Sequence, residues 1–339
     1  MSALTLLPDQ LRELLRPLPP DQARQLIDQP PMLAELTKRQ SFDEGWVFER
    51  KMDGIRALAL RLDDRVWLRS RTGKPLNDSY PELVAALLAQ PCRAFVVDGE
   101  ITAMRGDRTD FALLQQRMGL TEVRAIARTG VAVVLHLFDL LWLDGTDTTR
   151  LPLRCRKTLL RQAVEFTEPL RYTRHQTGDA AGLLAEACAQ HWEGLIAKRA
   201  EGRYRSGRGD GWLKLKCLRA QEFVVGAFTE PTGGGRSGFG ALLLGYQQGG
   251  ALRYAGKVGT GFDRRTLEAL RTFFDATTRP ESPFQPAPRE PRVHWVEPLL
   301  VVQVAFTEWT KAGLLRQPRY LGVRDDKKPT EVIREEPAE

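Results

Sequence analysis

Residues 46–62 constrain the chain most: two strand-like runs, Trp46-Val47-Phe48-Glu49-Arg50-Lys51 and Ile55 to Leu62, meet at Met52-Asp53-Gly54. Along a strand side chains alternate between faces, so Glu49 and Lys51 share one face and Phe48 and Arg50 the other. Gly54 marks a bend where the backbone either approaches a ligand closely or takes a positive φ. A lysine flanked by a carboxylate and an arginine beside a glycine turn suits covalent attack on phosphorus. The same residues also suit an exposed hairpin with a solvated charge pair, so the rest of the chain decides.

The rest is mixed. Strand-like runs at 45–51, 56–62, 65–69, 95–103, 131–143, 194–199 and 211–217 alternate with helical patterns at 81–88, 111–118, 154–166 and 180–191. The runs flanking Asp63-Asp64 read as an antiparallel hairpin. The pattern predicts an α+β class built on antiparallel sheets, not a doubly wound parallel sheet. From Gln221 the composition changes. Strands at 222–229, 241–247, 252–259, 293–307 and 320–323, one helix at 263–274 and two glycine-rich breaks predict a small OB-fold β-barrel. Three segments follow: an N-terminal helical extension over 1–30, a larger domain over 31–219 and the barrel over 220–339, with the link at 218–221. In the extension, Asp9 and Asp21 stand where helix N-caps would be. The 233–238 loop lacks the G-K-[ST] ending of a phosphate-binding P-loop and reads as a flexible hairpin loop.

Composition narrows the partners. A length of 339 residues, 42% hydrophobic and 27% charged, is that of a globular protein. A net charge of +7 favours an anionic partner, nucleic acid first. The four cysteines, Cys92, Cys155, Cys188 and Cys217, lie far apart with no C-x-x-C, which predicts buried thiols in a reducing cytoplasm rather than zinc or disulfides. Four histidines without metal-ligand spacing leave carboxylate ligation of Mg²⁺ or Mn²⁺ open. No signal peptide is evident, and the most apolar run, 131–143, is interrupted by His136 and Asp139. A cytoplasmic location, with no membrane association, is expected.

Several other segments carry charge in telling places. Arg69-Ser70-Arg71-Thr72-Gly73 puts two arginines around a small-residue bend suited to phosphate. Asp98-Gly99-Glu100 ends an apolar run with two carboxylates on one strand face, for a metal or a ribose. Asp139, after Phe138 in the most apolar strand, must find a partner. Glu193 opens Glu193-Gly194-Leu195-Ile196-Ala197-Lys198-Arg199. Alternation in Trp212-Leu213-Lys214-Leu215-Lys216 sets Trp212, Lys214 and Lys216 on one face, where two lysines repel unless an anion lies between them. Arg324-Asp325-Asp326-Lys327-Lys328 is a charge run near the end of the barrel segment.

Taken in order, K-M-D-G-I-R, S-R-T-G, D-G-E, F-D, E-G-L-I-A-K, L-K-L-K and R-D-D-K resemble the nucleotidyltransferase superfamily of ATP-dependent DNA ligases and RNA capping enzymes. The likeness runs from about Pro31 almost to the end. P-M-L-A, E-G-L-I-A-K-R and G-K-V-G-T-G-F are similar to the ligase domain of bacterial non-homologous end-joining DNA ligases. That domain is expected to stand alone here, without polymerase or phosphoesterase modules. A large N-terminal DNA-binding domain, as in fuller ligases, is not seen; nor are the cysteine-rich zinc module and upstream domain of NAD-dependent ligases, which favours ATP. Met52 replaces an aromatic residue common in the end-joining relatives.

The resemblance implies roles. Lys51 becomes the covalent AMP-lysine, Glu49 recognises the adenine amino group and Phe138 stacks on the base. Arg56 and Glu100 hold the ribose side, and Arg71 contacts phosphate. Glu193, with Asp53 or Glu100, positions the divalent metal. Lys214 and Lys216 hold the α-phosphate, and Arg324 with Lys327 orients pyrophosphate. Implied partners are ATP, Mg²⁺ or Mn²⁺, nicked or broken duplex DNA and a Ku-like end-binding protein, with the chain a monomer on the nucleoid. A free lysine is almost wholly protonated at neutral pH, so Arg56, Lys214, Lys216 and the metal are expected to depress the Lys51 pKa. An RNA ligase, a GTP-dependent capping enzyme and an inactive DNA-end scaffold are the other readings of the same residues.

Overall fold

The computed structural model describes residues 4, 7–37, 39, 41–217, 219–231, 238–310 and 312–335. It divides into two units, Met1–Cys217 and Leu218–Glu335. Of the 233–238 loop, all but Gly238 lies outside the described residues, as does Leu218 at the link.

The first unit contains two sheets, and residues 51–54 carry the chain from one to the other. The Trp46–Arg50 strand belongs to a five-stranded sheet, between His175–Gln176 and Gly194–Arg199, with Gly207–Lys216 and Met32–Leu36 beyond. The Ile55–Leu62 strand belongs to an eight-stranded sheet, between Arg65–Ser70 and Ala94–Arg105, with Val133–Leu143 next. Strands 46–50 and 55–62 therefore do not form a hairpin. Pairing is mostly antiparallel. The exceptions among the described residues are two parallel pairs, Leu170–Tyr172 on Val133–Leu143 and Met32–Leu36 on Gly207–Lys216.

Alternation in the eight-stranded sheet assigns each face. Ile55, Ala57, Ala59, Phe95, Val97, Ile101, Leu135 and Leu137 point to the side packed by helices Pro81–Leu88, Phe111–Gln115 and Leu153–Ala163. Each Ile, Leu, Val or Phe among them contributes about 1.5–3 kcal/mol by leaving water, and each alanine less. On the other face, Leu58, Leu60, Val96, Leu141 and Trp142 pack beneath Ala23 and Ile27 of the N-terminal segment. Beyond that cover, the same face carries Phe138, which packs with Met32 and Trp212 of the five-stranded sheet. The two sheets thus meet over a polar and aromatic cleft at the 51–54 crossover. On its far side the five-stranded sheet packs Leu195, Ala197, Leu213 and Leu215 against Ala180 and Ala187 of the Ala180–Ala189 helix.

Four expectations are corrected. Asp9 and Asp21 are not N-caps: Pro8 and Pro19 hold those positions, and the aspartates sit in the first turn. Proline before the aspartate already sets the φ that a helix start needs. The 293–307 run is two strands, Val293–Trp295 and Val301–Phe306, parted around Pro298, which has no N–H for a ladder. Strand Met32–Leu36 was not expected, because Glu35 and Ala34 dilute its pattern. Finally, Cys188 and Cys217 form a disulfide with Cα atoms 5.3 Å apart, whereas Cys92 and Cys155 are free. Sequence spacing could not show it: the Ala180–Ala189 helix returns across the end of the Gly207–Lys216 strand.

The second unit is a barrel of the OB type. Its strands run in the order Ala251–Val258, Leu242–Gln248, Arg219–Thr229, Val301–Phe306, Arg319–Val323, and Val293–Trp295 pairs with Arg219–Thr229. The Arg264–Asp275 helix closes one end, capped by Asp263, whose side chain accepts from Thr266 N at 2.7 Å. Among the described residues no helix is long and apolar enough to cross a membrane.

Candidate active site

Two glycines shape the crossover. At Gly54 a Cβ would overlap the Ile101 carbonyl, so the bend is needed for close approach to the neighbouring strand, not for a ligand or a positive φ. Gly194, at φ +146°, faces the Leu215 carbonyl equally closely. Lys51 N donates to Gly194 O at 2.9 Å, which seats Lys51 beside Glu193. Nζ of Lys51 then lies 2.5 Å from Glu193 Oε2, with the side chains only 19% and 14% exposed. Register puts Ile196 opposite Lys214 and Gly194 opposite Lys216, so both lysines border the same corner.

The charge state of Lys51 departs from expectation. Burial works against the ammonium, but Glu193, then Asp53 and Glu100, outweigh it and hold the Lys51 pKa above the usual lysine range. Glu193 is in direct contact with the amine, and Asp53 and Glu100 add to its pull.

Glu49 is buried and doubly paired. Lys157 Nζ donates to Oε1 at 2.5 Å, and Lys198 Nζ lies 2.6 Å from Oε2, all three side chains being 2% exposed. Burial disfavours the carboxylate, yet these two cations hold its pKa below the ordinary range. Lys198 also stands 4.2 Å from the Phe138 ring centre and 4.0 Å from that of Trp212. Burial lowers its pKa to about 8, against the pull of Glu49. Arg56 lies 4.7 Å from the same Phe138 ring, which is 8% exposed and edge-on to Trp212 at 5.8 Å. Phe138 is therefore in the cleft but covered by two cations here, not presented as an open stacking face.

A bulge explains how one strand serves both sides. Opposite Ala94–Arg105, Leu137 pairs with Gly99 and Asp139 with Asp98, leaving Phe138 as the extra residue. The step turns Phe138 into the cleft and sets two fully buried carboxylates, Asp98 and Asp139, side by side. Each has its own arginine. Arg56 grips Asp98 through Nε at 2.5 Å and Nη2 at 2.6 Å, and the Tyr204 hydroxyl donates to Asp98 at 2.6 Å. Arg156 grips Asp139 through Nε at 2.7 Å and Nη2 at 2.9 Å. Asp98 is thus a support for Arg56 and is withheld from metal or ribose, while Glu100, opposite Arg56 in register, keeps the cleft face.

His136 stands opposite Glu100, buried, with no partner for Nε2 among the described residues. Burial, then Arg171 and Arg50, lower its pKa from 6.5 to about 4. A histidine depressed in the fold is protonated first in the unfolded chain, so stability is complete above pH 6.5 and falls as pH drops toward 4. The loss by pH 4 is about 3 kcal/mol. His136→Asn should flatten the pH 4–6.5 stability slope by that amount in denaturant melts; an unchanged slope would show that the imidazole keeps its proton state on unfolding.

The remaining candidates lie elsewhere. Arg71 follows the Arg65–Ser70 strand, and because Ser70 pairs with Ala57 it emerges at the same sheet end as Arg56. Arg324 and Lys327 belong to the second unit. Arg324 is buried and bonded twice to Asp326 at 2.9 Å and to Gln303 at 3.1 Å, and Lys327 pairs with Glu222 at 2.9 Å. Neither is offered to pyrophosphate in this arrangement, because local carboxylates already take their charge. Sequence reading gave no role to Arg156, Lys157, Lys198 or Tyr204. A signal existed for the first two: Leu153, Arg156, Lys157 and Leu160 fall on one helix stripe, so two cations occupy core-facing positions.

Residues 31–216 match the ATP dependent DNA ligase domain, and residues 235–327 the ATP dependent DNA ligase C terminal region. The multifunctional non-homologous end joining protein LigD of Pseudomonas aeruginosa is 36% identical over 317 residues, 91% of this chain and 37% of that protein. The DNA repair protein LigD of Mycobacterium tuberculosis H37Rv is 37% identical over 295 residues, 86% of this chain and again 37% of the relative. The chain therefore spans little more than a third of these relatives. The solved structure of mycobacterial DNA ligase D complexed with ATP and MES superposes with a TM-score of 0.64 at 34% identity, covering 91% of this chain and 99% of that one. With the motif order, the two-sheet cleft and these matches in agreement, the chain belongs to the ATP-dependent DNA ligase family.

Proposed function

We propose that this chain seals breaks between a 5′-phosphate and a 3′-hydroxyl in duplex DNA, using ATP. The observation that carries the reading is Lys51 Nζ, 2.5 Å from Glu193, at the crossover of the two sheets. In the first step Nζ attacks the α-phosphorus of ATP, a P–N bond forms and pyrophosphate leaves. Glu193 Oε2 is the atom placed to receive the proton that Lys51 must lose. Lys214 and Lys216 neutralise the α-phosphate, and Arg56, held by Asp98, and Glu100 face the ribose side. Glu49 reads the adenine amino group, Phe138 meets the base and Arg71 the phosphates. AMP then passes from Lys51 to the 5′-phosphate, and the 3′-hydroxyl displaces it.

Among the described residues no three His, Cys, Asp or Glu side chains gather into a metal cage. Glu193 with Glu100 or Asp53 nevertheless suits Mg²⁺ or Mn²⁺, which commonly takes one or two carboxylates and completes its shell with phosphate oxygens and water. Such a cation would neutralise charge on the phosphates and on pyrophosphate.

The 31–219 segment supplies this chemistry as the adenylation domain, with 1–30 packed on it, and 220–339 acts as an OB-fold domain. Because DNA must come where pyrophosphate was, the barrel swings about 218–221 between steps, and Arg324 and Lys327 meet pyrophosphate by exchanging Asp326 and Glu222 for it. The names of the relatives support work in end joining; we read the chain as acting on nucleoid DNA in the cytoplasm, as a monomer beside a Ku-like end-binding protein.

A nicked duplex with 3′-hydroxyl and 5′-phosphate tests the reading. ATP should yield sealed strand with a DNA-adenylate intermediate, and nick binding should weaken on the order of tenfold or more between 50 and 200 mM salt. Sealing of RNA nicks only, or use of GTP, would move the chain to the RNA ligase or capping readings. Binding without sealing would leave the scaffold.

A further inference from the structure

Lys157 lies outside the motifs that define the family resemblance, yet it is among the most completely engaged cations of the cleft. It comes from the Leu153–Ala163 helix and is 2% exposed. Nζ donates to Glu49 Oε1 at 2.5 Å and to the Thr173 carbonyl at 2.9 Å, and sits 4.7 Å from the Tyr172 ring centre. A carbonyl, a ring and a carboxylate thus take up the ammonium from three directions. The other oxygen of Glu49 faces Lys198, which itself lies against Phe138 and Trp212. Glu49 is therefore held from behind by Lys157 and approached from the aromatic side by Lys198.

A buried carboxylate that must accept a hydrogen bond from a base has to be ionised and fixed in direction. Burial alone would favour the protonated acid, which could donate and would then tolerate a carbonyl in place of an amino group. We propose that Lys157 is the positioning residue for nucleobase choice: with Lys198 it keeps Glu49 charged, and by holding Oε1 it fixes Oε2 on the side of Lys198 and the aromatic rings, so that a 6-amino purine is preferred. The inference rests on the reading of Glu49 as the group that meets the adenine amino group. It adds that the preference is set from a helix that touches no part of the nucleotide.

The test compares enzyme adenylylation by ATP with that by purine riboside triphosphate, which lacks the 6-amino group. The wild-type chain should favour ATP about tenfold in kcat/KM, the worth of one hydrogen bond to a charged group. In Lys157→Met that ratio should fall to near one through loss with ATP, while the analogue reacts much as before. Lys157→Gln, which keeps hydrogen bonding but not charge, covers the case that the methionine variant does not fold, and should also lose most of the ratio. Lys157→Arg should restore it, which a merely structural role would not require. A wild-type ratio retained in a folded Lys157→Met or Lys157→Gln overturns the role of Lys157 and leaves the Glu49 reading standing. A wild type that uses both nucleotides equally overturns the Glu49 reading and this inference with it.

Discussion

Arg156→Leu is expected to lower the stability of the first unit by about 3–5 kcal/mol. Arg156 and Asp139 are both 0% exposed and joined by two hydrogen bonds. Removing the arginine leaves Asp139 as an uncompensated buried charge, directly across from Asp98 on the neighbouring strand, itself fully buried. The arginine also donates to the Leu151 carbonyl at 2.5 Å and the Gly202 carbonyl at 2.9 Å, so two main-chain acceptors lose their partner as well. Asp139→Leu should cost a similar amount by orphaning the guanidinium. The double variant Asp139→Leu/Arg156→Leu should recover a large part of either loss, because apolar replacement of both partners removes the unpaired charge. Urea melts followed on the first unit would show it. Single variants within 1 kcal/mol of wild type would mean that this pair does not stabilise the bulge. Since the bulge also turns Phe138 into the cleft, the single variants should lose nucleotide affinity as they lose stability.

That pair shows what was legible in the sequence and what was not. Asp139 announced itself, because a carboxylate in an unbroken apolar strand has to be satisfied by something. Its partner could not be named, since Arg156 lies across a turn and a helix whose pattern looked merely amphipathic. Lys51 and Glu193 were legible as chemistry because each stands near a glycine, and Lys214 and Lys216 because strict alternation sets two like charges on one face. Their assembly follows from a crossover between sheets, which strand periodicity alone does not distinguish from a hairpin.

Electrostatics was the less legible part. Lys51 was expected among cations, and the fold surrounds it with Glu193, Asp53 and Glu100. Glu49 was expected to face a ligand alone, and the fold gives it Lys157 and Lys198. Asp98 and Glu100 share a strand face, but only the partners tell them apart: Arg56 and Tyr204 commit Asp98 to support. Arg324 illustrates the same limit, since its neighbour in sequence, Asp326, occupies it. Pair energies between charges depend on distances of a few ångströms that sequence order does not contain.

The second large effect concerns the nucleophile. Lys51→Ala removes the amine placed against Glu193 at the crossover, and should reduce formation of the covalent adenylate on the order of 10³-fold or more. Neighbouring lysines should not substitute, since Lys157 and Lys198 are held against Glu49. Nζ also spans the distance from strand end to Glu193, so Lys51→Arg, which keeps the charge but not a nucleophilic amine, should be as inactive as the alanine variant while folding as wild type does.

The direct measurement is incubation with ATP labelled at the α-phosphate plus Mg²⁺ or Mn²⁺, followed by denaturing electrophoresis. Label should stay on the wild-type chain, be absent from Lys51→Ala and Lys51→Arg, and be chased into DNA when a nicked duplex is added. Label retained on Lys51→Ala, or none on wild-type protein shown to be free of bound AMP, would contradict the assignment of Lys51 as the residue that carries AMP.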